Sequence, residues 1–94
     1  MAFELLLREG QINSMKVRNR IITGPAERSM ANRDGSMTQA YIDFFVERAR
    51  GGAGLILIES TYVDTRGMGH LYQVGCHEDH VIPGLKRLAD AIHA

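Results

Sequence analysis

Residues 53–60 read AGLILIES, and Leu55, Ile56, Leu57 and Ile58 within them form an unbroken apolar run. A strand with one wet face alternates apolar and polar residues. A continuous run belongs to a strand covered on both faces, as in a parallel sheet. A parallel partner needs a crossover, and the residues before the run supply one. Tyr41, Phe44, Phe45, Arg48 and Ala49 recur at three- and four-residue steps, the helical period. Thr38 is placed to cap the first turn with its hydroxyl. Arg48 and Arg50 complement the dipole in the last turn, and Gly51-Gly52 supplies the stop. Tyr41, Phe44 and Phe45 are expected in the core, packing helix on sheet. Ahead of this helix runs a polar loop, 25–37. Ahead of that loop stand Ile21, Ile22 and Thr23, a β-branched strand halted by Gly24-Pro25.

Outward in the other direction, residues 61–77 form a loop carrying Tyr62, Arg66, His70, Tyr72 and three glycines. A second helix is marked by Leu85, Leu88, Ala89 and Ile92, and Pro83, tolerated in a first turn, puts its start near residues 80–82. At the other end, "QI", "NS" and "MKV" read as a hairpin around Asn13-Ser14. The order is hairpin, strand, helix, strand, helix: an α/β chain of βαβ character with a right-handed crossover, one domain over residues 1–94.

Composition narrows the function. Eleven basic residues balance eleven acidic ones, so there is no basic footprint for nucleic acid and no polybasic patch for a membrane. No apolar run approaches the ~20 residues of a transmembrane helix, and "MAFELLLREG" lacks the basic start of a secretory leader. Cys76 is the sole cysteine, which precludes an internal disulfide and points to a reducing, cytoplasmic setting.

Four clusters carry candidate chemistry. "GGAG" at 51–54 precedes its strand, the reverse of a dinucleotide fingerprint. "CHEDH" at 76–80 is rich in donor atoms, but structural zinc takes four ligands in spaced motifs, usually with more than one Cys. Acidic residues entering a helix are favoured by its dipole, so no metal site is expected. Arg66-Gly67 and His70 fit a substrate or subunit contact and a solvated loop about equally. Glu27-Arg28 follows a strand end, and composition alone makes it a solvated pair.

The segments "KVRNRIITGPA" (16–26), "DGSMTQAYIDFFVERARGGAGLILIESTYV" (34–63), "RGMGH" (66–70) and "DHVIPGLKRLADAIHA" (79–94) together resemble the N-terminal part of the Old Yellow Enzyme family. They are similar also to its 2,4-dienoyl-CoA reductase and trimethylamine dehydrogenase branch. The resemblance implies the first two βα units of a TIM (β/α)8 barrel, preceded by a hairpin that closes the barrel's bottom. It implies an FMN-dependent NAD(P)H oxidoreductase that passes hydride to activated alkenes. Active sites of such barrels lie at the C-terminal ends of strands, here "TGPAER" and "IESTY".

Position by position, the resemblance sets Gly24, Pro25, Ala26 and Glu27 along the flavin ring and the Ser60 backbone at its polar edge. Ser29 falls where one branch has a substrate-side Tyr. The family often has Met or Leu at position 26 and Thr or Cys at 27, so a carboxylate here replaces the usual redox-tuning side chain. A bare carboxylate disfavours an anionic reduced flavin. Glu27 is therefore expected to be protonated, turned away, or paired with Arg28 or a later residue.

No catalytic residue is expected in the chain itself. The family's substrate-holding His-His or His-Asn pair, its catalytic Tyr, its flavin-facing Gln and Arg and its phosphate loops correspond to positions beyond Ala94, and a full barrel takes ~250 residues. The expectation is an incomplete barrel, an N-terminal portion inactive alone and completed by the remainder of the barrel. Some relatives also carry an iron–sulfur and FAD extension. The alternative is a non-catalytic module without flavin, self-associating through unpaired sheet edges and the "LILI" segment.

Overall fold

Two residue pairs join the predicted sheet. In the computed structural model, which describes residues 3–94, Ile22 pairs with Leu55 and Thr23 with Ile56 in parallel register. Met1 and Ala2, which open the segment weighed as a leader, lie outside the described residues. A short helix α1 (Glu4–Leu7) precedes a hairpin of β1 (Gly10–Ile12) and β2 (Met15–Val17). Ile12 faces Met15 across its turn, where Asn13 takes the left-handed φ of 51° that Asn tolerates. Then come β3 (Ile22–Thr23), α2 (Gln39–Arg50), β4 (Leu55–Ile56) and α3 (Ile82–His93), with 3-10 turns at Thr65–Gly67 and Asp79–Val81.

The capping residue does two jobs. Thr38 Oγ1 accepts from the Tyr41 amide at 3.1 Å and donates to the Met30 carbonyl at 2.6 Å, so the start of α2 is also tied to the preceding loop. At the other end, Gly52 adopts φ 109°, which only glycine takes freely. The chain then turns back so that the Gly54 amide donates to the Ile21 carbonyl at 2.9 Å, entering β4 beside β3.

Ala31, Met37, Tyr41, Ile42, Phe45, Val74 and Leu88 form the buried core, with Ile56, Ile58, Leu85, Ala91 and Ile92 packed on it. Gly84 lets α3 approach closely: a Cβ there would stand 2.9 Å from that of Met37.

Three expectations are corrected. The apolar run is covered on one face only. Ile56 and Ile58 pack on the core under α2 and α3, while Leu57 is 44 % exposed, because a two-stranded sheet has nothing over its other face. Phe44 is half-buried, not core: the Arg48 guanidinium lies 3.4 Å from its ring centroid and that of Arg28 5.1 Å. In α3 the packed small residue is Ala91, and Ala89 faces outward. Hairpin, alternating strands and helices, and an open sheet make this an α/β fold of the incomplete (β/α)8 barrel kind.

Candidate functional site

Because β3 and β4 run parallel and in register, their C-terminal ends emerge side by side. Beyond them, Ser60 Oγ donates to Glu27 Oε1 at 2.8 Å. The loop after β4 folds back over this pair through the buried Gln73. Its Nε2 donates to the Ser60 carbonyl at 2.7 Å, and its Oε1 accepts from the Gly69 amide at 2.7 Å. That clasp delivers His70, whose Nε2 lies 3.3 Å from Glu27 Oε2. His70 Nδ1 stands 3.0 Å from Ser29 Oγ and 3.1 Å from the Leu71 carbonyl. Ser29 reaches it from a left-handed backbone, φ 53°, the kind of strained conformation that clusters at functional sites.

The tautomer follows from these partners. The Leu71 carbonyl can only accept, so Nδ1 carries a proton. Nε2 is then left against a carboxylate oxygen, shielded from solvent and without an aligned hydrogen bond. The ring therefore presents this second nitrogen to the Glu27 carboxylate from the loop that Gln73 clasps.

Beneath the pair, Glu59 is 3 % exposed and accepts three hydrogen bonds. Its Oε2 takes the Arg28 amide at 2.9 Å and the Tyr41 hydroxyl at 2.8 Å, and its Oε1 takes the Val74 amide at 2.9 Å. One carboxylate thus ties together the loop after β3, helix α2 and the 61–77 loop. Burial first, then the hydrogen bond and charge of Glu59, push the Tyr41 hydroxyl above the usual phenol range, keeping it a donor.

Of the predicted site residues, Glu27, Ser29 and Ser60 converge on one cluster. Pro25, Glu27, Leu57, Ile58, Glu59 and Ser60 line an open hollow, and at Gly24 even an added Cβ would meet nothing within 4 Å. Ala26 is exposed and makes no side-chain contact in the cluster. Arg28 is not the partner of Glu27: its amide serves Glu59 and its guanidinium lies over Phe44. His70, weighed evenly from sequence, is the actual partner, and Glu59 and Gln73 were not singled out. A carboxylate directly ending a buried apolar run was the available signal for Glu59. A separate groove lined by Val46, Ala49, Leu55, Ile56, Ala91 and Ile92 excludes all these side chains. Elsewhere, His77, Glu78 and His80 of "CHEDH" come together.

A polar cluster at adjacent strand ends of an open (β/α)8 sheet is the site arrangement of a TIM-barrel enzyme. The profile of the NADH:flavin oxidoreductase / NADH oxidase family matches residues 10–94, and the chain belongs to that family. It is 41 % identical over 93 residues to an NADH oxidase of Thermoanaerobacter brockii, covering 98 % of this chain and 14 % of that protein. Among solved structures, 2-naphthoyl-CoA reductase in complex with 2-naphthoyl-CoA superposes with a TM-score of 0.92. The identity is 32 %, over 96 % of this chain and 14 % of that one. The old yellow enzyme of Trypanosoma cruzi gives a TM-score of 0.87 at 33 % identity, over 99 % of this chain and 25 % of that one. The chain therefore spans between 14 % and 25 % of these proteins' lengths.

Proposed function

We propose that this chain forms one wall of the FMN site of an NAD(P)H-dependent oxidoreductase, with the remainder of the barrel supplying the catalytic and phosphate-binding groups. The observation that carries this reading is the Ser60–Glu27–His70–Ser29 cluster at the ends of two adjacent parallel strands. The hollow beside it joins apolar Pro25, Leu57 and Ile58 to polar Glu27, Glu59 and Ser60, a lining that suits a flat ring with a polar edge. FMN, when bound, supplies hydride transfer from NAD(P)H to an activated alkene. The chain's own residues bind and tune. Gly24, Pro25 and Ala26 line the ring, Ser60 orients Glu27, and His70 sets its Nε2 against the Glu27 carboxylate. Ser29 stands on the substrate side.

Family members of which this chain spans 14 % support placing it in the long, multidomain branch that includes 2,4-dienoyl-CoA reductase and trimethylamine dehydrogenase. Among the described residues no helix is long and apolar enough to cross a membrane, and the single cysteine of these 94 residues supports a reducing, cytoplasmic setting. The isolated 94 residues would be inactive. The exposure of Ile21, Ile22 and Leu57, at 42 %, 47 % and 44 %, favours association of copies when the rest of the barrel is missing.

The test is the flavin midpoint potential of the full-length protein. His70→Gln removes the imidazole that faces Glu27 and is expected to lower the potential, and adding Glu27→Thr is expected to reverse that change. Unaltered potentials in both variants refute the assigned role of Glu27, and a colourless full-length protein refutes the flavin site itself.

A further inference from the structure

We infer that His77, Glu78 and His80 form a binding site for a borderline divalent cation of the zinc class, at the entrance to α3. The site shares no residue with the Glu27–His70 cluster. One ligand atom from each of the three side chains lies within 4.8 Å of the others. The His77 and His80 rings meet edge to face with centroids 5.4 Å apart. Zinc bonds of ~2.1 Å to nitrogen and oxygen hold ligand atoms roughly 3.4 Å apart. The exposed Glu78 side chain closes that difference by a change of rotamer.

Three further observations point to a cation. First, His80 is set in the ligating tautomer. Its Nε2 lies 3.1 Å from the Asp34 carbonyl and 3.5 Å from Asp34 Oδ2, both acceptors, so Nε2 carries the proton. Metal-bound imidazoles are oriented in this way by a carboxylate or carbonyl on the far nitrogen. Second, the remaining nitrogen, Nδ1, faces Glu78 Oε2 at 3.4 Å. Two acceptors face to face repel unless a positive charge joins them.

Third, polar atoms beside the set are buried without partners. Tyr62 is 4 % exposed, yet its hydroxyl has none, and neither has His77 Nδ1. The two rings lie tilted against each other with centroids 4.7 Å apart, and the charges of Asp34 and Glu78 both act on the Tyr62 hydroxyl. An orphaned buried polar group calls for a water or an ion. A metal carrying bound water accounts for both atoms, the water being within the chemistry of Tyr62 as donor or acceptor.

The donor set selects the ion class. Two imidazoles and one carboxylate suit zinc, cobalt or nickel, whereas calcium and magnesium take oxygen ligands throughout. Three protein ligands leave a coordination position for water. Sequence alone argued against the site because a contiguous run offers too few ligands for a closed structural centre. An open three-ligand site needs no fourth residue, and Asp34, far away in sequence, supplies the outer support.

The experiment titrates the purified protein with Co2+ and reads the visible absorption, followed by competition with Zn2+. One equivalent is expected to bind, with at least tenfold weaker binding in His77→Ala and His80→Ala. Asp34→Asn and Tyr62→Phe are expected to weaken it less, and His93→Ala, at the far end of α3, to leave it unchanged. In parallel, Zn2+ is expected to protect His77 and His80 of the unaltered chain from diethylpyrocarbonate, read by peptide mass mapping. That measurement does not depend on any variant folding. Absence of saturable binding, binding that survives His77→Ala/His80→Ala, or binding abolished by Cys76→Ser overturns the assignment.

Discussion

Replacing Glu59 with Gln changes one buried atom and tests the logic that holds the site together. The side chain accepts three donors, two at Oε2 and one at Oε1. A glutamine amide fills the same volume but has one oxygen. Its cheaper orientation keeps the oxygen where Oε2 was, retaining the Arg28 amide and the Tyr41 hydroxyl. The new NH2 then faces the Val74 amide, donor against donor, in a residue with no solvent exposure. A buried donor left unpaired costs about 1–3 kcal/mol, and the two retained bonds fall from the charged to the neutral class, losing roughly 1 kcal/mol each. The expected destabilisation is therefore about 3–5 kcal/mol, against a total stability on the order of 5–15 kcal/mol for a domain.

Tyr41→Phe provides the internal comparison. It deletes one donor to a charged acceptor and leaves the other two in place, an expected loss of about 1.5–3 kcal/mol. Urea denaturation followed by far-UV circular dichroism measures both. If Glu59→Gln lies within about 0.5 kcal/mol of the unaltered protein, the range of an ordinary surface change, the argument that Glu59 knots three segments is refuted. A double variant that loses the full sum of the two single losses would show the residues to be uncoupled, which the 2.8 Å contact does not allow.

Two further outcomes follow from the same geometry. Thr38→Ala removes both the cap on Tyr41 and the bond to the Met30 carbonyl; it is expected to cost about 1–2 kcal/mol, and Thr38→Ser, which keeps the hydroxyl, to recover most of it. Of the three tyrosines, Tyr41 and Tyr62 have folded-state pKa values raised above 10, by burial first in each case. Their contribution to stability is whole below pH ~10, the unfolded value, and is lost as pH rises from there towards the folded values. Phenolate absorbance at alkaline pH should therefore appear late for both, and early ionisation of Tyr41 would contradict its bond to Glu59.

Local features of the sequence translated directly into structure. The hairpin at Asn13-Ser14, the Thr38 cap, the Gly51-Gly52 stop and the early Pro83 of α3 are each decided by residues within a turn of one another. The parallel pairing, though distant in sequence, was legible too, since a continuous apolar run after a crossover helix has few alternatives. The site was legible only in part. Glu27, Ser29 and Ser60 were placed by strand-end position and resemblance, but their partner was not. Glu27 stands nearer in sequence to Arg28 than to any other cation, and proximity along the chain favours that pair. The fold instead turns Arg28 onto Phe44 and brings in His70 from the next loop, through a glutamine clasp that has no sequence signature. The one-sided cover of Leu57 was missed for a related reason: the apolar run records a burial that needs more strands than two.

The brevity of the β3–β4 contact has a kinetic consequence. Only Ile22↔Leu55 and Thr23↔Ile56 pair, across the whole of the 25–37 loop and α2. Closing so long a loop is entropically costly, and two ladder pairs return little for it. The sheet therefore does not nucleate the fold. Helix α2, built from local contacts and capped at both ends, forms early and lays down Tyr41, Ile42 and Phe45 as a surface. The strands meet only once that surface draws Ile56 and Ile58 onto it. The polar cluster at the strand ends is then among the last features to assemble and the first to come apart.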